Sequence, residues 1–87
     1  MSRLDDLGIR KMVEGPGVSL YARGNCVAAV GGTQGGTGLM TEQGLAYLVW
    51  RDGVAFLVSR SAESPATPEQ LEEIRKFSED LKSALST

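Results

Sequence analysis

An α+β fold is predicted for this chain: a four-stranded, largely antiparallel sheet built from two β-hairpins, with a C-terminal amphipathic helix and a short N-terminal helix. Three observations predict it. Two turn dipeptides, Gly24-Asn25 and Asp52-Gly53, each separate two runs of strand-forming residues. Behind them, apolar residues recur at three- and four-residue steps after a capping sequence, as an amphipathic helix requires. The length, 87 residues, is that of a single small domain, which buries roughly 60–65% of the surface its unfolded chain exposes.

The elements follow in order. Ser2, with Asp5 three positions on, has the spacing of a helix cap, and Leu4 and Leu7 then share a face. This helix ends at Gly8 or runs on through Met12 and Val13. Glu14-Gly15-Pro16-Gly17 stops it in either case, because proline lacks a donor and the glycines favour a turn. Residues 18–23 and 26–30 pair as the first hairpin, with Arg23 opposite Cys26, Ala22 opposite Val27 and Leu20 opposite Ala29. Its one face carries Val18, Leu20, Ala22, Val27 and Ala29; the other is mixed, with Tyr21, Arg23 and Cys26 among its residues.

Residues 31–38 hold five glycines in eight positions, so their ordering is costly in backbone entropy. A flexible loop is expected from residue 31 to about residue 43. Residues 45–51 and 54–60 then form the second hairpin across Asp52-Gly53, a strong type I′ signal. Leu45, Tyr47, Val49, Val54, Phe56 and Val58 share one face, and Ala46, Leu48, Trp50, Ala55, Leu57 and Ser59 the other. A half-solvated sheet alternates apolar with polar residues. This hairpin is apolar on both faces.

Residues 61–66 read as a polar connection containing Pro65. Thr67-Pro68-Glu69-Gln70 next supplies a threonine cap, proline at the first helical position and glutamine at the capping-box position. Leu71, Ile74, Phe77, Leu81, Ala84 and Leu85 form the apolar stripe of the helix that follows, with Glu72, Arg75, Lys76 and Glu79 paired on its wet side.

Composition narrows the function. The net charge is −2, and the C-terminal segment is acidic, with Glu63, Glu69, Glu72, Glu73, Glu79 and Asp80 against Arg75, Lys76 and Lys82. Both weigh against nucleic acid, whose binding draws much of its affinity from phosphate neutralisation. A single cysteine, Cys26, forms no internal disulfide and fits a reducing compartment. No stretch approaches the roughly 20 apolar residues of a membrane helix, and the first residues lack the apolar run of a signal peptide. A cytoplasmic protein is expected, with no membrane partner.

Catalytic and metal chemistry are poorly supplied. There is no histidine, the commonest general base. Cys26 has only Arg23 as a charged cross-strand neighbour, and an arginine cannot shuttle protons. Zinc needs several cysteine or histidine ligands. No catalytic residue, metal or cofactor is therefore expected, and the chain reads as non-enzymatic. The glycine-rich segment, Gly32, Thr33, Gly35, Gly36 and Thr37 above all, is the place for a rival reading in which backbone donors cradle an anion or nucleotide. It lacks the lysine of a Walker loop, and the dinucleotide spacing fails because Thr41 stands at the third glycine position. A second rival sets Tyr21, Tyr47, Trp50 and Phe56 beside Arg23, Arg51 and Arg60 as a platform for single-stranded nucleic acid.

The order helix, hairpin, loop, hairpin, helix resembles the profilin-like architecture of roadblock and longin regulatory domains, with the glycine-rich segment standing where those families have a helix and a strand. That resemblance implies a dimerising adaptor that presents a surface to other proteins. The residues lead to the same expectation independently, because one C-terminal helix covers only one face of a sheet that is apolar on both, which leaves the other to the short N-terminal segment, a second copy or a different partner. The expected function is a small interaction or regulatory module that homodimerises, or meets another protein, through an apolar sheet face. Leu48, Trp50 and Leu57 on one side, and Tyr47 and Phe56 on the other, are the candidate interface residues.

Overall fold

The computed structural model describes residues 3–31, 36–42 and 44–86. It is an α+β fold with a sheet of seven strands. The elements are α1 (Arg3–Asp6), β1 (Arg10–Gly15), β2 (Val18–Arg23), β3 (Cys26–Gly31), β4 (Gly36–Thr41), β5 (Gly44–Arg51), β6 (Val54–Val58), β7 (Glu63–Pro65) and α2 (Pro68–Leu85). The strands run in sequence order across the sheet, every neighbour antiparallel, an uninterrupted meander. No helix among the described residues is long and apolar enough to cross a membrane.

Both expected hairpins are present in the expected register. Arg23 lies opposite Cys26, Leu20 opposite Ala29, and Arg51 opposite Val54. Asp52 and Gly53 have φ of 52° and 77°, the two left-handed positions of a type I′ turn. At the start of α2, Thr67 accepts from the Gln70 backbone at 3.1 Å, while the Gln70 side chain accepts from the Thr67 backbone at 2.9 Å.

The expectation of four strands is corrected to seven, for a different physical reason at each added strand. At β1, the short helix stops after Asp6 instead of running on. Gly8 takes φ 72° and donates to the Asp5 carbonyl at 3.1 Å, while Ile9 donates to the Leu4 carbonyl at 2.9 Å. This is a Schellman ending, and it turns Ile9 into the core, from which the chain leaves extended. Pro16-Gly17 then joins β1 to β2 as a hairpin turn rather than terminating a helix.

At β4, residues 36–41 fall within the segment expected as a loop. Their alternation is real but muted: Leu39 is buried towards α2, while Gly36 and Gly38 show no side chain to the other face. Gly38 serves a close approach, since a Cβ there would run into the Ala46 carbonyl oxygen on β5. At β7, Glu63–Pro65 adds three paired residues to the far edge, ending on a proline that closes the ladder. The meander, with a strand and, among the described residues, no helix between the two expected hairpins, also departs from the helix and strand that the profilin-like resemblance implies there.

The core lies between α2 and one face of the sheet. Tyr21, Cys26, Ala28, Leu39, Ala46 and Leu57 meet Ile74, Phe77 and Leu81, with Ile9 packed against them and Leu4 and Leu7 at the margin. The small residues Cys26, Ala28 and Ala46 let the helix sit close to the central strands. Arg23 ties three elements together: its guanidinium donates to the Leu7 carbonyl at 3.1 Å, pairs with Asp80 of α2 at 2.9 Å, and lies 5.5 Å from the centre of the Phe77 ring.

Candidate functional site

Register assigns every sheet side chain to one of two faces. Leu39, Ala46, Leu48, Trp50, Ala55 and Leu57 point to the side that α2 covers. Val18, Leu20, Ala22, Val27, Ala29, Met40, Leu45, Tyr47, Val49, Val54, Phe56 and Val58 point to the other. No element of the described chain packs across that second face. Tyr47 there is 57% exposed, and Val13, Val18, Met40, Val49 and Val54 are exposed as well. Together these side chains form a contiguous exposed apolar area across the centre of the sheet.

The candidate interface residues are thereby divided. Leu57 is in the core and Leu48 is packed against it. Trp50 shares their face but is 62% exposed, lining a groove together with Leu48 and the α2 residues Leu71, Ile74 and Arg75. Tyr47 and Phe56 stand on the open face. They differ in surroundings. The Arg51 guanidinium lies 4.5 Å from the centre of the Phe56 ring and meets the Glu63 carboxylate, so an ion pair roofs Phe56 at the β6–β7 margin. Tyr47 instead helps to line a hollow of about 410 Å³, together with Leu20, Val27, Ala29, Thr37, Leu45 and the glycines Gly36 and Gly38.

The charges of the open face are peripheral. Among the described residues they are Arg10 on β1 and the Arg51–Glu63 pair at the opposite margin. Between them the surface is uncharged, a polar-rimmed apolar centre of the kind protein interfaces have. Sequence reading named Tyr47 and Phe56 here but missed Leu20, Val27, Ala29 and Leu45 as parts of one continuous surface. The missing signal was β4, which joins the two hairpins into one sheet.

Of the expected ligand segment, Gly32, Thr33 and Gly35 lie outside the described residues. Gly36 and Thr37 belong to β4, paired with Ala29 and Ala28 of β3. Cys26 is buried, and its thiol donates weakly to the Glu73 carbonyl, 3.7 Å away. Burial pushes its pKa up to about 11, the Glu73 charge adding to the shift and Arg23 opposing it. A thiol so placed is a poor nucleophile. Among the described residues no group of three histidine, cysteine or acidic side chains is placed to hold a metal ion.

No family model matches this chain, and no curated protein or solved structure does.

Proposed function

We propose that this chain is a non-enzymatic interaction module that homodimerises through the open face of its sheet. The carrying observation is the uncovered apolar face spanning β2 to β6, set against the single helix that covers the other face. The chain's accessible area supports the reading. It is 6050 Å², whereas a compact monomer of 9.2 kDa is expected to expose about 4,900 Å². With that excess of about 1,100 Å² per chain located on the open face, a pair would bury about 2,200 Å², the range of obligate homodimers.

The edges of the sheet favour a face-to-face pairing over strand addition. On β1 a bulge between Lys11 and Val13 interrupts the ladder, and Arg10, Lys11 and Glu14 place charge along it. On β7 the strand is three residues long and ends at Pro65. Bulges, charges, short length and proline are the devices by which natural sheets discourage edge pairing. A face without central charge also lets two identical surfaces meet without like-charge repulsion. The setting is cytoplasmic, in keeping with a lone, buried thiol.

Sedimentation velocity from 1 to 100 micromolar tests the reading. A dimer is expected throughout the upper part of that range. Val49→Glu, which plants a charge on the open face opposite Phe56, should give a folded monomer. A wild-type chain that sediments as a monomer at 100 micromolar would overturn the proposal.

A further inference from the structure

We infer that the open face is self-complementary, with Tyr47 of each copy seated in the glycine-floored hollow of the other. This rests on the dimer reading above and adds the contact that fixes how two copies meet. The hollow exists because β4 presents Gly36 and Gly38 to this side, while Leu20 and Leu45 stand on the flanking strands. Its floor at Gly38 cannot be filled by evolution of a larger side chain, since any Cβ there collides with the Ala46 carbonyl oxygen. Closing two open faces over hollows of about 410 Å³ each would leave large voids. The walls are mainly apolar, with Thr37 and glycine backbone as the polar exceptions, so water finds few hydrogen-bond partners there and the voids would be poorly filled, at a cost in lost contacts. Something from the opposing copy must enter.

Tyr47 is the side chain suited to it. It lines one side of its own copy's hollow and is 57% exposed, free to reach an opposing surface. Phe56, the other ring on this face, is held under the Arg51–Glu63 pair. In a twofold interface a protrusion and a hollow lying side by side are satisfied reciprocally: each copy offers both. A tyrosine brings a large rigid contact area at the cost of only two side-chain torsions, which is why it recurs among the residues that dominate binding.

The test combines filling the hollow with removing the ring. At Gly36 an added Cβ meets no atom within 4 Å, so Gly36→Leu fills the hollow without strain in the strand. Gly36→Leu and Tyr47→Ala should each raise the dimer dissociation constant at least tenfold by sedimentation. The double variant should be no more than threefold worse than the weaker single one, because both remove one contact. A Gly36→Leu chain that dimerises like the wild type, while Val49→Glu is monomeric, would overturn the seating and leave the open-face dimer standing. A Val49→Glu chain that still dimerises would remove both. If circular dichroism finds Gly36→Leu misfolded, Tyr47→Ala against Met40→Ala decides. Met40 is exposed on the same face, and equal effects of the two would overturn the seating.

Discussion

Arg23 and Cys26 face each other at the end of the first hairpin and do opposite jobs. Arg23 is partly exposed, and its guanidinium joins the Leu7 carbonyl, Asp80 and the Phe77 ring. It fastens the N-terminal segment and α2 to β2 at one point. Arg23→Met keeps the apolar stem but drops the charged bonds, and should lower stability by about 1–2 kcal/mol. Asp80→Asn on that background should cost far less than on the wild type, a comparison that urea titration of the four chains makes. Cys26, 2% exposed, is held as the neutral thiol to a pKa of about 11. An unfolded thiol ionises roughly two units lower. Between those values the unfolded chain releases a proton that the folded chain retains, so stability falls as pH rises through that window and is fully present below it. The urea midpoint should therefore drop more from pH 8 to pH 10 in the wild type than in Cys26→Ala. Equal drops would mean that the thiol ionises freely in the native state.

At the scale of elements, what the sequence disclosed followed local chemistry. The hairpin at Asp52-Gly53, the cap at Thr67 and the stripe of α2 each declare themselves within a few residues, and each has the register or bonds it predicts. The three added strands are settled at longer range. Whether Gly8 ends a helix or sits within a longer one depends on whether Ile9 has a core to enter, which no local pattern states. Whether Gly36–Thr41 is a loop or a strand depends on β3 and β5 lying ready on either side, because two glycines weaken its own preference for extended structure. Leu39 measures the difference. In a loop its truncation would change stability by less than about 0.5 kcal/mol. As a buried residue of a central strand, Leu39→Ala should cost about 2–4 kcal/mol, read from the denaturant midpoint at constant slope. The open face was half-legible for the same reason: Tyr47 and Phe56 showed in the second hairpin alone, whereas its continuation to Leu20 and Val27 needs the strand between.

At the scale of the whole molecule, the described residues make an unequal sandwich, seven strands with α2 as the one long helix. A layer of sheet with apolar residues on both sides requires a layer on each side, and α2 with the N-terminal segment supplies one. In the proposed dimer a second copy would supply the other without any new element, and stability would then be inseparable from concentration. Each tenfold rise in protein concentration adds about 1.4 kcal/mol per dimer to the folded side. With an unfolding entropy of about 2.1 cal/mol/K per residue, summed over two chains, that moves the melting temperature up by about 4 °C. The wild type should follow this slope between 2 and 200 micromolar, whereas Val49→Glu should melt at one temperature whatever its concentration. Salt separates the proposed dimer from a charge-driven one. Because the centre of the open face holds no charge and its margin holds an internally paired Arg51 and Glu63, raising sodium chloride from 0.1 to 1 M should leave dissociation within about threefold of its starting value, since screening acts on exposed charges alone. A dissociation constant that climbs by orders of magnitude over that range would place the contact on the charged edges of β1, and the apolar face would have to be covered in some other way.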